Sequence, residues 1–205
     1  MRRILVVLLL IVASAAALAA PRPVLVLGDS LSAAHNIPVD AGWVHLLEVR
    51  LRDMKAPRPV INASISGATT ADGASRLPAL LAEHRPALVI LELGANDGLR
   101  GLPLAEIRGN LEAMIRTCRA ARVQVLLVGI ELPVNYGPQY RDGLRALYRE
   151  LATQYRLPLV PFLLDGVALQ PELLQDDGMH PTAAGEPRVL DNVWKVLAPQ
   201  VARLR

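Results

Sequence analysis

Cysteine is almost absent from this 205-residue chain, in which Cys118 is the only one. An intramolecular disulfide is therefore excluded. No histidine or cysteine pair has the spacing of a metal site, and no glycine-rich phosphate-binding loop is present. The sequence thus predicts no resident metal ion and no cofactor. Cys118 continues an apolar series at helical spacing that comprises Ile107, Leu111, Met114 and Ile115. This spacing favours a packed, unreactive Cys118 thiol over a nucleophile.

An excess of either charge is also missing. The chain has 22 Lys and Arg residues against 19 Asp and Glu residues, and its first 19 residues include the arginines Arg2 and Arg3. The remainder therefore carries 20 basic and 19 acidic residues. No basic block is left that would bind a phosphate backbone, so nucleic acid is not an expected partner.

The first residues have the pattern of a secretory signal. Arg2 and Arg3 precede an apolar run at residues 4–12, and Ala17-Leu18-Ala19 fits a small-x-small cleavage site. The run is short for a membrane span, although an uncleaved anchor is the alternative. We expect residues 1–19 to be a cleaved signal peptide, residues 20–205 to form one domain, and the protein to be periplasmic or secreted.

Strand-like and helix-like stretches alternate along the rest of the chain. Short apolar runs predict strands at residues 23–27, 59–62, 87–93, 123–130 and 159–162. Amphipathic spacing predicts helices at residues 43–54, from about 72 to 81, at 103–121, at 144–155 and from about 186 to 197. Strands that are apolar on both faces indicate an α/β fold whose parallel sheet is covered by helices on both sides. Functional loops in such folds follow the carboxyl ends of the strands.

Four short polar segments suggest a hydrolytic site. They are GDSLS at residues 28–32, SGA at 66–68, GAND at 94–97 and DGMH at 177–180, and the first three follow predicted strands. Ser30 is the candidate nucleophile, which needs a base to remove its proton. In isolation this serine is also compatible with a helix-capping role. The rival serines are Ser32, Ser64 and Ser66.

His180 is the candidate base. Asp177 lies three residues upstream, so its carboxylate could accept the Nδ1 proton of His180 and orient the ring. Asp176 is the rival orienting residue, and a polar turn without catalytic function is the alternative for the segment. His35 lies five residues beyond Ser30 and could border the site.

Three groups could stabilise an oxyanion. They are the backbone N–H of Ser30, the backbone N–H of Gly67 and the side-chain amide of Asn96. Glycine permits close backbone approach, and asparagine donates without titrating. Each residue alone is equally compatible with an ordinary turn.

Together, the four segments resemble the SGNH (GDSL-type) hydrolase family, whose letters fall on Ser30, Gly67, Asn96 and His180. Further stretches are similar to the bacterial periplasmic branch of this family; they lie at residues 42–44, 62–67, 93–101, 132–137 and 191–194. That branch contains a multifunctional acyl-CoA thioesterase, lysophospholipase and arylesterase. The resemblance implies a three-layer, flavodoxin-like α/β/α sandwich with a parallel five-stranded sheet in the order 2-1-3-4-5.

The resemblance also implies the role of each residue. Ser30, His180 and Asp177 would form the triad, while Ser30, Gly67 and Asn96 would form the oxyanion hole. Gly94 would shape the loop that presents Asn96. The substrate would contact Leu132, Pro133, Asp97 and Leu99. Two positions depart from the branch, in which the residue after Gly67 is often acidic rather than Ala68 and an aromatic or aliphatic residue is commoner than His35.

The expected protein is a serine esterase that hydrolyses carboxylic esters and thioesters through an acyl-serine intermediate. Its partners would be arylesters, acyl-CoA or lysophospholipids, with transient membrane-lipid contact, and it would act as a monomer. A site built from loops favours short or medium acyl chains, whereas a linear groove would admit longer ones. The alternatives are a carbohydrate O-acetylesterase, which the 3% aromatic content disfavours, and a non-catalytic lipid or solute carrier.

Overall fold

The structure of the protein is a computed structural model that describes residues 21–54 and 57–204. The expected signal peptide at residues 1–19 lies outside the described residues. Five parallel strands form one sheet in the order β2-β1-β3-β4-β5, which confirms the expected order. The strands are β1 Val24–Gly28, β2 Val60–Asn62, β3 Leu88–Glu92, β4 Gln124–Val128 and β5 Leu159–Val160.

Helices cover both faces of this sheet. They are α1 Trp43–Arg52, α2 Thr70–His84, α3 Ala95–Leu99, α4 Leu104–Ala120, α5 Pro138–Tyr155 and α6 Glu186–Val201. Helices α2, α4 and α5 pack on one face, and helices α1 and α6 pack on the other. The three-layer α/β/α architecture is therefore confirmed.

The central strands explain the apolar runs in the sequence. All five residues of β1 and all five of β3 are buried. Successive side chains of a strand point to opposite faces of the sheet. Accordingly, Leu25 and Leu27 contribute to the core under α2, α4 and α5, whereas Val24 and Val26 contribute to the core under α1 and α6. Both faces must be apolar because neither reaches water.

Two helices near the site, α2 and α3, differ from the sequence prediction. Helix α2 begins at Thr70 because Thr69 and Asp72 form a capping box, in which each side chain accepts from the other's backbone N–H. Helix α3 was not predicted, since five residues are too few to show an apolar period. Within the described residues, no helix has the length and apolarity that a membrane span requires.

Candidate active site

The turn after β1 is pressed against the end of β3. Gly28 pairs with Glu92 at the carboxyl end of the sheet. A Cβ atom on residue 28 would lie 2.5 Å from Glu92 Oε2 and 2.8 Å from Ser32 Oγ, so a larger residue would displace these side chains. The chain then turns immediately, which places Ser30 at the rim where α3 also begins. Parallel strands thus bring the first and third polar segments together.

Ser30, His180 and Asp177 form a continuous hydrogen-bonded chain. The Oγ of Ser30 lies 2.8 Å from Nε2 of His180, and Nδ1 of His180 lies 2.7 Å from Oδ2 of Asp177. With the ring proton on Nδ1, Ser30 donates to His180 and His180 donates to Asp177. This is the geometry of a nucleophile, its base and an orienting carboxylate, formed between residues 150 positions apart.

The Asp177 carboxylate is held by more than the imidazole. Its Oδ1 accepts from the backbone N–H of Met179 at 2.9 Å and from that of His180 at 3.0 Å. Partial burial raises the pKa of Asp177, but these two bonds and the contact with the His180 ring outweigh it and lower the pKa to about 2. Asp177 is therefore ionised over the whole neutral range. The rival Asp176 is exposed and makes no hydrogen bond to His180 in the described chain.

The expected oxyanion donors lie on the turn after β1, on the turn at residues 67–68 and on helix α3. Within the described residues, the backbone N–H groups of Ser30 and Gly67 donate to no protein acceptor. Gly67 has a φ of 82°, a conformation that favours glycine. The side-chain amide of Asn96 donates to the carbonyl of Ala68 at 3.0 Å and to Oδ2 of Asp29 at 3.2 Å. The structure thus brings Asn96 and the 67–68 turn together, with both amide hydrogens of Asn96 engaged.

Asp29 is a buried part of the site whose role the sequence does not predict. Its Oδ1 accepts from the backbone N–H of Leu31 at 3.0 Å, and its Oδ2 accepts from Asn96. Burial raises its pKa to about 6, although the bond from Leu31 and the nearby His180 and Asn96 oppose this rise. The only available sequence signal was its position between Gly28 and Ser30. Asp29 links the nucleophile turn to the helix that carries Asn96.

His35 borders the site, as its position five residues beyond Ser30 suggested. Its ring centroid lies 4.4 Å from that of His180, with the two planes tilted by 40°. His35, Asp177 and His180 also have potential metal-ligand atoms within 4.8 Å of one another. However, Asp177 and His180 already bind each other, so an ion would have to displace the triad contact.

A cavity of about 880 Å³ opens beside the triad. Ser30, Asn96 and His180 line it together with apolar side chains that include Leu99, Leu132, Pro133, Phe162, Leu164 and Leu174. Three of the four residues expected to contact substrate, Leu99, Leu132 and Pro133, line this cavity. The fourth, Asp97, lies outside the cavity because it is fully buried and accepts from the backbone N–H of Thr70 at 2.9 Å. The wall contributed by residues 162–174 was not expected, since those residues form no polar motif.

The model of the GDSL-like Lipase/Acylhydrolase family matches residues 26–187 of the chain. The chain belongs to this family. The matched range includes every residue of the expected triad and of the expected oxyanion hole.

Relatives of this GDSL-like chain include curated proteins and solved structures. It is 50% identical to Esterase TesA of Pseudomonas aeruginosa over 181 residues, which cover 88% of the chain and 90% of TesA. It is 42% identical to Thioesterase 1/protease 1/lysophospholipase L1 of Escherichia coli over 183 residues, which cover 89% and 86%. The crystal structure of the psychrotrophic esterase EstA from Pseudoalteromonas, inhibited by monoethylphosphonate, superposes with a TM-score of 0.84 at 34% identity and covers 89% of the chain and 100% of EstA.

Proposed function

We propose that this protein is a serine esterase that hydrolyses carboxylic esters and thioesters through an acyl-serine intermediate. The observation that carries the proposal is the 2.8 Å contact between Ser30 Oγ and His180 Nε2, with Asp177 on the opposite nitrogen. A binding protein has no need for an activated serine. The names of the two curated relatives, an esterase and a thioesterase/lysophospholipase, agree with this chemistry.

The reaction proceeds by two acyl transfers. His180 Nε2 removes the Ser30 proton while Oγ attacks the carbonyl carbon, and the negative carbonyl oxygen accepts from backbone N–H groups. His180 then gives that proton to the leaving alcohol or thiol, which leaves the acyl group on Ser30. Water attacks the acyl-serine with His180 again as the base, and breaking the acyl–Oγ bond releases the acid and restores Ser30. Asp177 keeps the ring in the required tautomer throughout.

The oxyanion binds the N–H groups of Ser30 and Gly67 and one amide hydrogen of Asn96. The contact from Asn96 to Asp29 is the longer of its two, at 3.2 Å against 3.0 Å. We assign the hydrogen on this longer contact to the transition state, where the negative carbonyl oxygen can share it with Asp29. Asn96 keeps its orientation through Ala68.

The substrate is an ester with an extended apolar acyl group. A cavity of about 880 Å³ lies at the upper end of the roughly 300–1,000 Å³ that ligand sites occupy. Its apolar lining favours an acyl chain over a carbohydrate, which would need polar partners or aromatic platforms. A cavity of this size has room for more than a short acyl group, so medium and long acyl chains are the better substrates. Aryl esters, acyl-CoA and lysophospholipids all meet this requirement.

The setting of the reaction follows from the substrate and from the N-terminal pattern. Residues 1–19 are proposed to be a signal peptide whose removal releases the enzyme into the periplasm or the medium. The enzyme acts as a monomer that contacts lipid only while taking up substrate. N-terminal sequencing of the exported protein should begin at Ala20, and an intact Met1 in that fraction would contradict cleavage.

The first experiment compares wild type, Ser30→Ala and Ser66→Ala on p-nitrophenyl esters and acyl-CoA thioesters of increasing chain length. Ser66 is an exposed serine next to the site and serves as the matched control. Ser30→Ala should lose about 10³-fold or more in kcat, and Ser66→Ala should keep it. A fluorophosphonate should label wild type on Ser30 alone. An unlabelled protein would indicate a carrier, and activity confined to acetylated glycans would indicate an O-acetylesterase.

A further inference from the structure

Glu92 is buried directly beneath the nucleophile turn, where neither the triad nor the oxyanion hole uses it. It is the last residue of β3, and no part of it is exposed. Its Oε2 accepts from Ser32 Oγ at 2.7 Å and from the backbone N–H of Asp29 at 3.3 Å. The two donors lie on either side of Ser30 in the chain. One carboxyl oxygen therefore holds both ends of the turn that presents the nucleophile.

We propose that Glu92, as a neutral carboxylic acid, is a positioning residue that fixes the backbone of Ser30 and so orients both its Oγ and its N–H. The inference rests on the proposed esterase function. Glu92 does not line the cavity, so it acts on substrate only through the turn.

The neutral form follows from the surroundings of the carboxyl group. In the described chain, Oε1 of Glu92 has no hydrogen-bond partner, and no cation pairs with the side chain. A buried carboxylate needs such partners to offset the loss of water. The Asp29 carboxyl lies close by and opposes a second negative charge. Burial, and next the charge of Asp29, raise the pKa of Glu92 well above its usual range, although its two hydrogen bonds oppose this.

The contact between Glu92 and the turn is tight enough to transmit small displacements. Oε2 lies where a Cβ atom on Gly28 would be only 2.5 Å away, so the carboxyl group packs against the backbone itself. Asp29 donates its backbone N–H to Glu92, and the Asp29 side chain accepts a hydrogen bond from Asn96. Loss of the Glu92 acceptor would therefore loosen the nucleophile and an oxyanion donor together. A misplacement of about 1 Å can cost about 10²-fold in rate.

The test compares Glu92→Gln, Glu92→Leu and the control Glu186→Gln by kcat and KM on p-nitrophenyl butyrate, at a temperature where each is folded. Gln keeps an acceptor oxygen in the neutral form, whereas Leu removes it at similar volume. Glu186 is also a buried glutamate that accepts from a backbone N–H, but it bonds Trp43 at the start of α1. We expect kcat to fall about 30-fold or more in Glu92→Leu and less than about 5-fold in Glu92→Gln, with KM within about 3-fold in both. Glu186→Gln should match wild type.

Ser32→Ala keeps the proposal testable if Glu92→Leu fails to fold. It removes one of the two donors to Oε2 without adding volume, and kcat should fall about 3- to 10-fold at constant KM. Wild-type kcat in Glu92→Leu or Ser32→Ala would overturn the positioning role, and equal losses in Glu92→Gln and Glu92→Leu would overturn the neutral form. Failure of the esterase function itself would show separately, as fluorophosphonate labelling that is absent from wild type.

Discussion

The Asp177→Asn substitution would exchange one carboxylate oxygen for an amide nitrogen and leave the shape of the side chain unchanged. Oδ1 of Asp177 accepts two backbone N–H groups, while Oδ2 faces His180 Nδ1. The asparagine oxygen would stay on the backbone donors, because flipping the amide would lose both bonds at about 0.5–1.5 kcal/mol each. Its NH₂ group would then point at Nδ1 and donate to it. The ring proton would have to move to Nε2, where it blocks proton transfer from Ser30.

The size of the loss follows from this tautomer change. A triad held in the wrong tautomer loses about 10⁴-fold in kcat when its carboxylate is buried. The Asp177 side chain is 34% exposed, so water competes for the amide and part of the histidine population keeps the productive tautomer. We therefore expect a fall of about 10³-fold in kcat, which corresponds to about 4 kcal/mol in the activation barrier. KM should change little, because Asp177 does not line the cavity.

The assay is steady-state hydrolysis of p-nitrophenyl butyrate, with Asp176→Asn as the matched control. Asp176 is the adjacent, exposed aspartate, and its substitution removes the same charge one residue away. It should stay within about 2-fold of wild type, since an exposed charge adds little through solvent. The reasoning is refuted if Asp177→Asn keeps more than about a tenth of the wild-type kcat, or if Asp176→Asn is equally impaired.

Three further outcomes are expected. Burial raises the pKa of Glu186 to about 7, so its ionisation destabilises the wild-type fold as the pH rises. Urea titration should therefore show the free energy of unfolding of Glu186→Gln rising by about 2 kcal/mol relative to that of wild type between pH 5 and pH 8. Gly98→Ala would place a Cβ 2.8 Å from the side chain of Leu132, which lines the cavity, so kcat/KM should fall more for octanoyl than for acetyl esters. The control Gly109→Ala adds its Cβ in open space and should only raise the free energy of unfolding, by about 0.5–1 kcal/mol. Equal effects of Gly98→Ala on both esters would contradict this prediction. Burial raises the pKa of the Cys118 thiol to about 12, so a disulfide reagent should modify it only after unfolding, and rapid native labelling would contradict its packing.

Much of the fold was predictable because its signals are local. The buried strands β1 and β3 are apolar at nearly every position, and the helices around them show an amphipathic period. Helix α3 was missed because its five residues include Gly98 and are too short for a period to emerge. The capping box at Thr69 and Asp72 was in the sequence, yet it placed the start of α2 two residues before the predicted one.

The site was predictable where a motif marked it and not elsewhere. Ser30, Asp177 and His180 meet as expected. The family resemblance implied that Asp97 contacts substrate. On α3, however, Asp97 and its neighbour Asn96 point in different directions, and Asp97 accepts from the backbone N–H of Thr70 in the interior. Glu92 carried no signal, since a glutamate at the end of an apolar strand can equally face solvent. The apolar wall after β5 also lacks a motif, because any apolar side chains of suitable shape could form it.

By itself, the sequence determined the chemistry that this protein can perform: one serine turn, one histidine with an upstream carboxylate, and apolar strands that a parallel sheet must bury. Tertiary structure alone decided which of these groups touch, which carboxyl groups lose their water and how large a groove stands beside Ser30. The reason is physical. Strand and helix periods arise from neighbouring residues, whereas a proton transfer, a shifted pKa and a cavity depend on distances between residues that only the packed fold brings together.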